Sequence, residues 1–127
     1  MKKSINTQKL PKPVGPYSQM VSCNGFLFLS GQIAIDPVTG ELIKGGVEDQ
    51  TTAILEAVKS AVEEQQLSMK DVVKVTAYLT GTDDFNAFNI VYAKCFTGEP
   101  PVRITVFVNA LPKGARVELD VIAALKD

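Results

Sequence analysis

The 127-residue sequence predicts one α+β domain, in which two helices cover one face of a mixed β-sheet. Two stretches carry apolar residues at helical spacing, and several shorter stretches have the composition or alternation of strands. In chain order these segments predict the pattern ββαβαββ. The length is close to the commonest size of a single domain, so one core should suffice without disulfides or a structural metal.

A β-hairpin is predicted near the N-terminus. The segment Pro11–Pro16 fixes several φ angles and withholds amide donors, so it should run extended over the surface as far as Tyr17. Strands at 21–23 and 26–29 then flank an Asn-Gly pair, which is a strong signal for a two-residue turn.

The first helix is predicted over Val47–Gln66, after a connection at 36–46 that is rich in turn formers. Its core-facing residues recur at helical spacing and are Ile54, Val58, Ala61 and Val62. The segment Val72–Leu79 then switches to a period of two, which predicts the third strand.

The second helix is predicted to start after Gly81, where Thr82 or Asp83 can cap it. One stripe of its surface is apolar and holds Phe85, Phe88, Tyr92, Cys95 and Phe96. Two last strands are predicted at about 102–108 and 116–124, joined by the loop NALPKGA.

The two faces of the predicted sheet differ in character. The apolar rows that contain Val75, Val106 and Leu119 should lie beneath the helices. The opposite face should present a mixture of residues: Tyr78, Arg103, Thr105, Phe107, Glu118, Asp120 and Ile122. Because this face is too apolar for water and too polar for a core, we expect it to pack against another subunit, with polar clefts between subunits.

Composition disfavours several functional classes. The net charge is −1 and no basic stripe is present, so nucleic acid is not expected as a partner. The sequence has no histidine and no phosphate-binding glycine motif, so we expect no metal and no cofactor. The two isolated cysteines and the absence of a long apolar run favour a cytoplasmic protein without membrane contact.

Arg103 lies in the strand segment PVRITVF, where a guanidinium needs water, an acidic partner or an anionic ligand. Its planar fork of donors matches a small carboxylate. A structural ion pair with Glu118 or Asp120 is the stronger alternative on residue types alone.

Glu118 alternates with apolar neighbours, so its carboxylate should enter the mixed face. Burial there would raise its pKa and suit it to hold or activate a water, whereas a nearby Arg103 would lower the pKa again. An ordinary solvated carboxylate on a strand is the alternative.

Four further polar positions are candidates for a cleft. Asn89 borders the apolar stripe of the second helix and is either a tie to the backbone or a donor to a ligand. In the triplet after FLFL, Ser30 precedes Gly31, whose lack of a side chain permits close approach of a ligand or marks a β-bulge. Tyr17 could close a cleft, or simply pack with its hydroxyl in water.

Several motifs in this order resemble the RidA family, also called YjgF/YER057c/UK114. They are GPYSQ at 15–19, SGQI at 30–33 followed by DPVTGE, Asn89 to Tyr92 as NxxY, PVR at 101–103 and LPKGARVELDVIA at 111–123. The resemblance covers almost the whole chain.

This resemblance implies a chorismate-mutase-like (ferredoxin-like) subunit that assembles as a homotrimeric barrel with clefts between subunits. It also implies hydrolysis of reactive 2-imino and enamino acids, such as 2-aminoacrylate, to 2-keto acids and ammonia. Arg103 matches the carboxylate-binding arginine of the family and Glu118 its water-associated glutamate. The residues that match the lining of the cleft are Tyr17, Ser30, Gly31 and Asn89.

Thr105 departs from the archetypal branch, which usually has a cysteine two positions after the arginine. Threonine keeps a small polar group there but lacks thiol chemistry. Two other functions stay open: a non-catalytic protein that senses a small carboxylate, and an RNA-binding protein or ribonuclease, which the charge of the chain disfavours.

Overall fold

The predicted helices and strands are all found in the computed structural model, which describes residues 1–126. The strands are β1 (Lys3–Ile5), β2 (Met20–Cys23), β3 (Phe26–Gln32), β4 (Val72–Leu79), β5 (Val102–Phe107) and β6 (Val117–Ala124). The helices are α1 (Val47–Glu64) and α2 (Phe85–Cys95), with short 3₁₀ turns at Met69–Asp71, Thr82–Asp84 and Pro112–Gly114. The predicted α+β class is therefore confirmed.

One mixed sheet contains all six strands, in the order β1-β2-β3-β6-β4-β5. The pair β4 and β5 is parallel, and the other neighbours are antiparallel. The strand that the sequence did not predict is β1, whose residues Lys3 and Ser4 are exposed. It forms one edge of the sheet by pairing with β2. An exposed edge strand can be polar, and the sequence of β1 therefore lacks the apolar alternation from which a strand is predicted.

The predicted hairpin joins β2 to β3. Asn24 and Gly25 both adopt positive φ, 50° and 85°, which is the conformation that a tight two-residue turn needs. Cys23 pairs with Phe26 directly across this turn. Local turn chemistry thus sets the register of the first two long strands.

The core lies between the two helices and one face of the sheet. Helix α1 contributes its predicted residues Ile54, Val58, Ala61 and Val62, each no more than 1% exposed. The sheet contributes fully buried Leu27, Val75, Val117 and Leu119. Each such aliphatic side chain contributes about 1.5–3 kcal/mol on burial, so this layer holds the helices in place.

Strand β5 faces the other way from the prediction. In the parallel register Val75 lies beside Arg103, Ala77 beside Thr105, and Leu79 beside Phe107. Register partners point to the same side of a sheet, so these three residues of β5 lie on the face that the helices cover. The expectation that Arg103, Thr105 and Phe107 occupy the open face was wrong, as was the placement of Val106 beneath the helices.

The open face is instead more apolar than predicted. Its β5 residues Val102, Ile104 and Val106 are 68%, 48% and 37% exposed. Phe26 and Phe28 of β3 add two more exposed rings, 6.3 Å apart. The alternation of β5 divides its residues between two faces but does not show which face the helices cover. On this edge strand the helices leave the apolar residues uncovered.

Helix α2 begins at Phe85, so its N-cap lies one residue beyond Asp83, the later of the two predicted caps. Asp84 occupies the N-cap position, and no side-chain cap hydrogen bond forms there. The buried Asp84 carboxylate instead accepts two hydrogen bonds from Arg116, from Nε at 3.0 Å and from a terminal nitrogen at 2.5 Å. This bidentate pair fastens the start of α2 to the residue just before β6.

Among residues 1–126, no helix is long and apolar enough to cross a lipid bilayer.

Candidate functional site

Arg103 lies on β5 beneath the aromatic face of α2. Its guanidinium carbon is 4.8 Å from the centroid of the Tyr92 ring, 5.3 Å from Phe88 and 6.0 Å from Phe85. Aromatic faces stabilise a cation through their quadrupole but use none of its N–H donors. The cage therefore holds the charge in place and leaves the planar fork free for an anion.

No acidic side chain among residues 1–126 pairs with Arg103. Glu118 lies beside Tyr78 and Asp120 beside Thr76, so both carboxylates belong to the open face. The sheet itself separates them from the guanidinium. The alternative of a structural ion pair between Arg103 and Glu118 or Asp120 is therefore wrong within one chain.

Two other predicted residues lie on the Arg103 side. Thr105 follows Arg103 by two positions on the same strand face and is half-buried. Asn89 lies on α2, one turn beyond Phe85, and is also half-buried. No hydrogen bond from the Asn89 amide to the backbone is found within residues 1–126, so the amide is free of the structural tie that was the alternative.

Glu118 is packed against the backbone of Gly31. A methyl group built on Gly31 would lie 3.0 Å from the Glu118 carboxyl carbon and still closer to one of its oxygens. The ladder between β3 and β6 is irregular between Leu29 and Gln32, as expected for a β-bulge. Glycine is required here because the carboxylate occupies the space of a side chain.

Burial raises the pKa of the Glu118 carboxyl, and the nearby Asp120 carboxylate raises it further. Asp120 accepts a hydrogen bond of 3.1 Å from the Tyr78 hydroxyl, so it is itself held on this face. The expected lowering of the Glu118 pKa by Arg103 is wrong within one chain. A carboxylate with a raised pKa is a stronger base than an ordinary glutamate, which suits it to accept and return a proton.

Ser30 precedes Gly31 within β3, and Tyr17 lies in the segment that leads into β2. The Ser30 hydroxyl donates a 2.5 Å hydrogen bond to the Ser18 carbonyl, and the Ser30 N–H donates to the Gln19 carbonyl. Tyr17 directly precedes Ser18 and is 50% exposed, with its ring folded back towards Gly15. Ser30 thereby fixes the loop that carries Tyr17.

Gln19 holds the N-terminal segment in place, a structural role that its residue type did not indicate. Its side chain is 4% exposed and bonds to Thr7, Leu10 and Pro11 of the preceding segment. This buried amide fixes the proline-stiffened segment against the sheet. A glutamine after a tyrosine and a serine gives no local sign of such a role.

Arg103 and Glu118 thus lie on opposite faces of one sheet, and we group the other predicted site residues with one or the other. The arginine half-site consists of Arg103, Thr105 and Asn89 with the aromatic cage Phe85, Phe88 and Tyr92. The glutamate half-site consists of Glu118, Gly31, Ser30 and Tyr17. The cage residues were predicted only as a core stripe, because helical spacing shows which side chains share a face but not what lies beneath them.

A cavity of 390 Å³ lies elsewhere, between the end of α1 and the end of α2, and is lined by residues such as Leu55, Lys59, Cys95 and Phe96. None of the predicted site residues lines it. Within residues 1–126 no cluster of three or more His, Cys, Asp or Glu side chains could hold a metal. Cys23 and Cys95 are free thiols, and burial raises the pKa of Cys95.

These features define a small α+β protein that presents an aromatic-caged arginine and a separate carboxylate on opposite faces of one sheet. The family model described as Endoribonuclease L-PSP matches residues 7–125. A RutC family protein of Pyrococcus horikoshii is 47% identical over 123 residues, which make up 97% of this chain and 98% of the relative.

The mouse 2-iminobutanoate/2-iminopropanoate deaminase is 37% identical over 97% of this chain and 91% of its own length. The crystal structure of E. coli TdcF with bound serine has a TM-score of 0.90 and 38% identity, and the match covers 98% of this chain and 99% of that one. The chain belongs to the RidA (YjgF/YER057c/UK114) family, which confirms the resemblance predicted from its motifs.

Proposed function

We propose that this protein is a hydrolytic deaminase of reactive 2-imino and enamino acids, such as 2-aminoacrylate, which yields 2-keto acids and ammonia. The observation that carries the proposal is the Arg103 guanidinium, caged by aromatic rings and without an acidic partner among residues 1–126. A half-buried, unpaired arginine on a strand is suited to bind a small carboxylate. The similarity to the mouse 2-iminobutanoate/2-iminopropanoate deaminase supports the same reaction class.

The active unit in this proposal is a homotrimer with its clefts between subunits. Arg103 and Glu118 lie on opposite faces of one subunit, so one substrate can meet both only if the two side chains come from different chains. The exposed apolar side chains of the open face, among them Phe28, Ile104 and Val106, provide surface for such an assembly. A closed ring of three would repeat the same arginine-to-glutamate contact at each boundary.

Substrate binding depends on the arginine half-site. The fork of Arg103 takes the substrate carboxylate through two parallel N–H to O bonds, and Thr105 and Asn89 offer further hydrogen bonds at its edge. The rings of Phe85 and Phe88 limit the size of the group that can lie over the cage. This arrangement orients the C2 carbon of the substrate towards the partner subunit.

The chemistry depends on the glutamate half-site. An enamine first tautomerises to the imine, whose protonated form has an electrophilic C2. The Glu118 carboxylate takes a proton from a water as the water oxygen bonds to C2, which gives a carbinolamine. Glu118 then returns that proton to the nitrogen and, ionised again, accepts the hydroxyl proton as the C–N bond breaks and the keto group forms; it later releases this proton to solvent. Ammonia departs and the 2-keto acid remains.

These steps need no bound cofactor, because the iminium carbon is already electrophilic and the protein supplies orientation and proton transfer. We place the protein in the cytoplasm, where pyridoxal-phosphate enzymes of amino-acid metabolism release such imines and where free thiols such as Cys23 and Cys95 persist.

A coupled assay tests this function. Serine dehydratase generates 2-aminoacrylate, and the disappearance of that intermediate is followed with native protein and with Arg103→Ala. Acceleration by native protein only, with both proteins of the same oligomeric state by light scattering, is the expected result. Equal decay with and without native protein would reject the deaminase.

A non-catalytic carboxylate sensor is the second candidate. It is favoured by the structural relative that contains bound serine, a stable amino acid that carries a carboxylate. Such a sensor would bind pyruvate through Arg103 without accelerating imine decay. Imine decay separates the two functions, because a deaminase accelerates it and loses that acceleration in Glu118→Gln, whereas a sensor accelerates it in neither form.

Ribonuclease activity is named in the description of the family model. The net charge of −1 provides little attraction for phosphate backbones. RNA affinity that falls steeply with added salt, together with cleavage abolished by a site substitution, would favour this activity over the deaminase.

A further inference from the structure

Tyr92 carries a buried hydroxyl without a partner. The side chain is 7% exposed, and its hydroxyl oxygen has no hydrogen-bond partner among residues 1–126. Leaving a buried polar group unpaired costs free energy that a phenylalanine at the same place would avoid. The hydroxyl is therefore unfavourable for the free chain, and a role in binding would explain its presence.

The position of Tyr92 indicates what that role is. Its ring lies nearest to the guanidinium of Arg103 among the three aromatic rings of the cage, at 4.8 Å. The rest of the ring packs between Phe88 and Phe96, at centroid distances of 5.5 and 4.6 Å. The ring that carries the unpaired hydroxyl is thus packed beside Arg103, which has no acidic partner among residues 1–126.

The hydroxyl also remains a donor at physiological pH. Burial raises the pKa of Tyr92 to about 12, although the nearby Arg103 opposes the shift. A carboxylate has about four acceptor sites, so a bidentate arginine leaves places for another donor. Contact between an anion and this buried hydroxyl requires a small local rearrangement, and no ion pair of Arg103 with an acid among residues 1–126 opposes a shift of that side chain.

From these observations we infer that Tyr92 is a positioning residue whose hydroxyl donates a hydrogen bond to the carboxylate held by Arg103. This inference rests on the proposed function, since it assigns a second donor to the same carboxylate. Tyr92, the last residue of the NxxY motif, would thus have a role in binding as well as in packing. The hydroxyl fixes the rotation of the carboxylate about its C1–C2 bond, and so the direction in which C2 faces.

Tyr92→Phe is the direct test, because it keeps the ring under Arg103 and removes only the hydroxyl. The dissociation constant for pyruvate, measured by calorimetry, should rise roughly 10- to 100-fold, as expected for one hydrogen bond to a charged group. The melting temperature without ligand should stay the same or rise. Methyl pyruvate, which lacks the carboxylate charge, should bind the native and variant proteins equally. Cys95→Ala, on the same helix outside both half-sites, is the control and should keep native affinity.

An unchanged affinity of Tyr92→Phe for pyruvate would overturn the inference. A lower melting temperature of the ligand-free variant would also overturn it, since the hydroxyl would then be bonded in the free protein. Arg103→Ala distinguishes this failure from failure of the proposed function. If Arg103→Ala loses pyruvate binding while Tyr92→Phe keeps it, only the role of Tyr92 is wrong; if both keep it, the carboxylate site itself is wrong.

Discussion

The two half-sites treat their charges in opposite ways. Arg103 is half-buried against aromatic rings, which stabilise a cation, and no acid among residues 1–126 competes for its donors. Glu118 is pressed against Gly31 beside another carboxylate, and both burial and Asp120 raise its pKa. Arg103 therefore stays charged, whereas the Glu118 carboxylate is protonated more readily than that of an ordinary glutamate. This difference suits the first group for binding and the second for proton transfer.

Glu118→Gln should separate the half-sites most strongly. Turnover should fall about 10²- to 10⁴-fold, as for loss of a general acid–base group, while the affinity for pyruvate at Arg103 stays near native. Steady-state rates in the imine assay and calorimetry with pyruvate measure the two effects. The exposed Glu63→Gln on α1 is the matched control.

The same variant should be at least as stable as native protein at neutral pH. A folded pKa raised above the unfolded one gives stability that is present below the unfolded pKa and lost as pH rises through the folded pKa. Glutamine removes this loss. As the pH rises from about 4 to about 7, the melting temperature should therefore fall more for native protein than for Glu118→Gln. A larger fall for the variant would contradict the raised pKa.

Gly31→Ala should disturb the glutamate half-site alone. The added methyl group displaces the Glu118 carboxylate, and a misplacement of about 1 Å can reduce the rate by roughly 10²-fold. The value of kcat should fall while pyruvate affinity remains. Gly46→Ala, where the new methyl group meets only ordinary contacts, should keep native rates. Equal losses in both variants would show that the close contact between Gly31 and Glu118 has no catalytic importance.

Arg103→Lys should disturb the arginine half-site alone, and by a smaller amount. A lysine keeps the charge but loses the planar fork, so KM should rise roughly tenfold with kcat little changed. Steady-state kinetics on the generated imine measure this split. A fall in kcat with native KM would mean that Arg103 acts on the reacting carbon and not on the carboxylate.

Asp120→Asn should have the smallest effect. The Asp120 charge raises the pKa of Glu118, so its removal moves that pKa back towards the ordinary range of a glutamate. Glu118 must be ionised to accept a proton, so activity falls as pH drops through its pKa. The acid limb of kcat/KM should therefore move to lower pH, by less than about one unit. A shift to higher pH would contradict the assigned cause.

Most of the fold could be predicted because its signals are local. The Asn24-Gly25 turn, the apolar spacing of α1 and the alternation of β4 each specify an element without reference to the rest of the chain. The faces of β5 could not be predicted this way. Its orientation depends on which strand it joins and in which register, and these are non-local properties.

The candidate site was predictable as a set of residues and not as an arrangement. Arg103, Glu118 and Gly31 were identified from their chemistry and from family motifs, but Arg103 and Glu118 were expected to share one face. The parallel pairing of β5 with β4 places Arg103 under α2, where Phe88 and Tyr92 meet it. Sequence patterns that show α2 as apolar cannot distinguish a core contact from a cage around a cation.

The central claim is that Arg103 and Glu118 act on one substrate from two different subunits. Subunits carrying Arg103→Ala and subunits carrying Glu118→Gln should each be inactive alone. After the two are unfolded, mixed in equal amounts and refolded together, random assembly leaves an intact pair at about one half times one half of the boundaries. We predict about a quarter of native imine-hydrolysing activity in the mixture; activity no higher than that of either variant alone would contradict the claim.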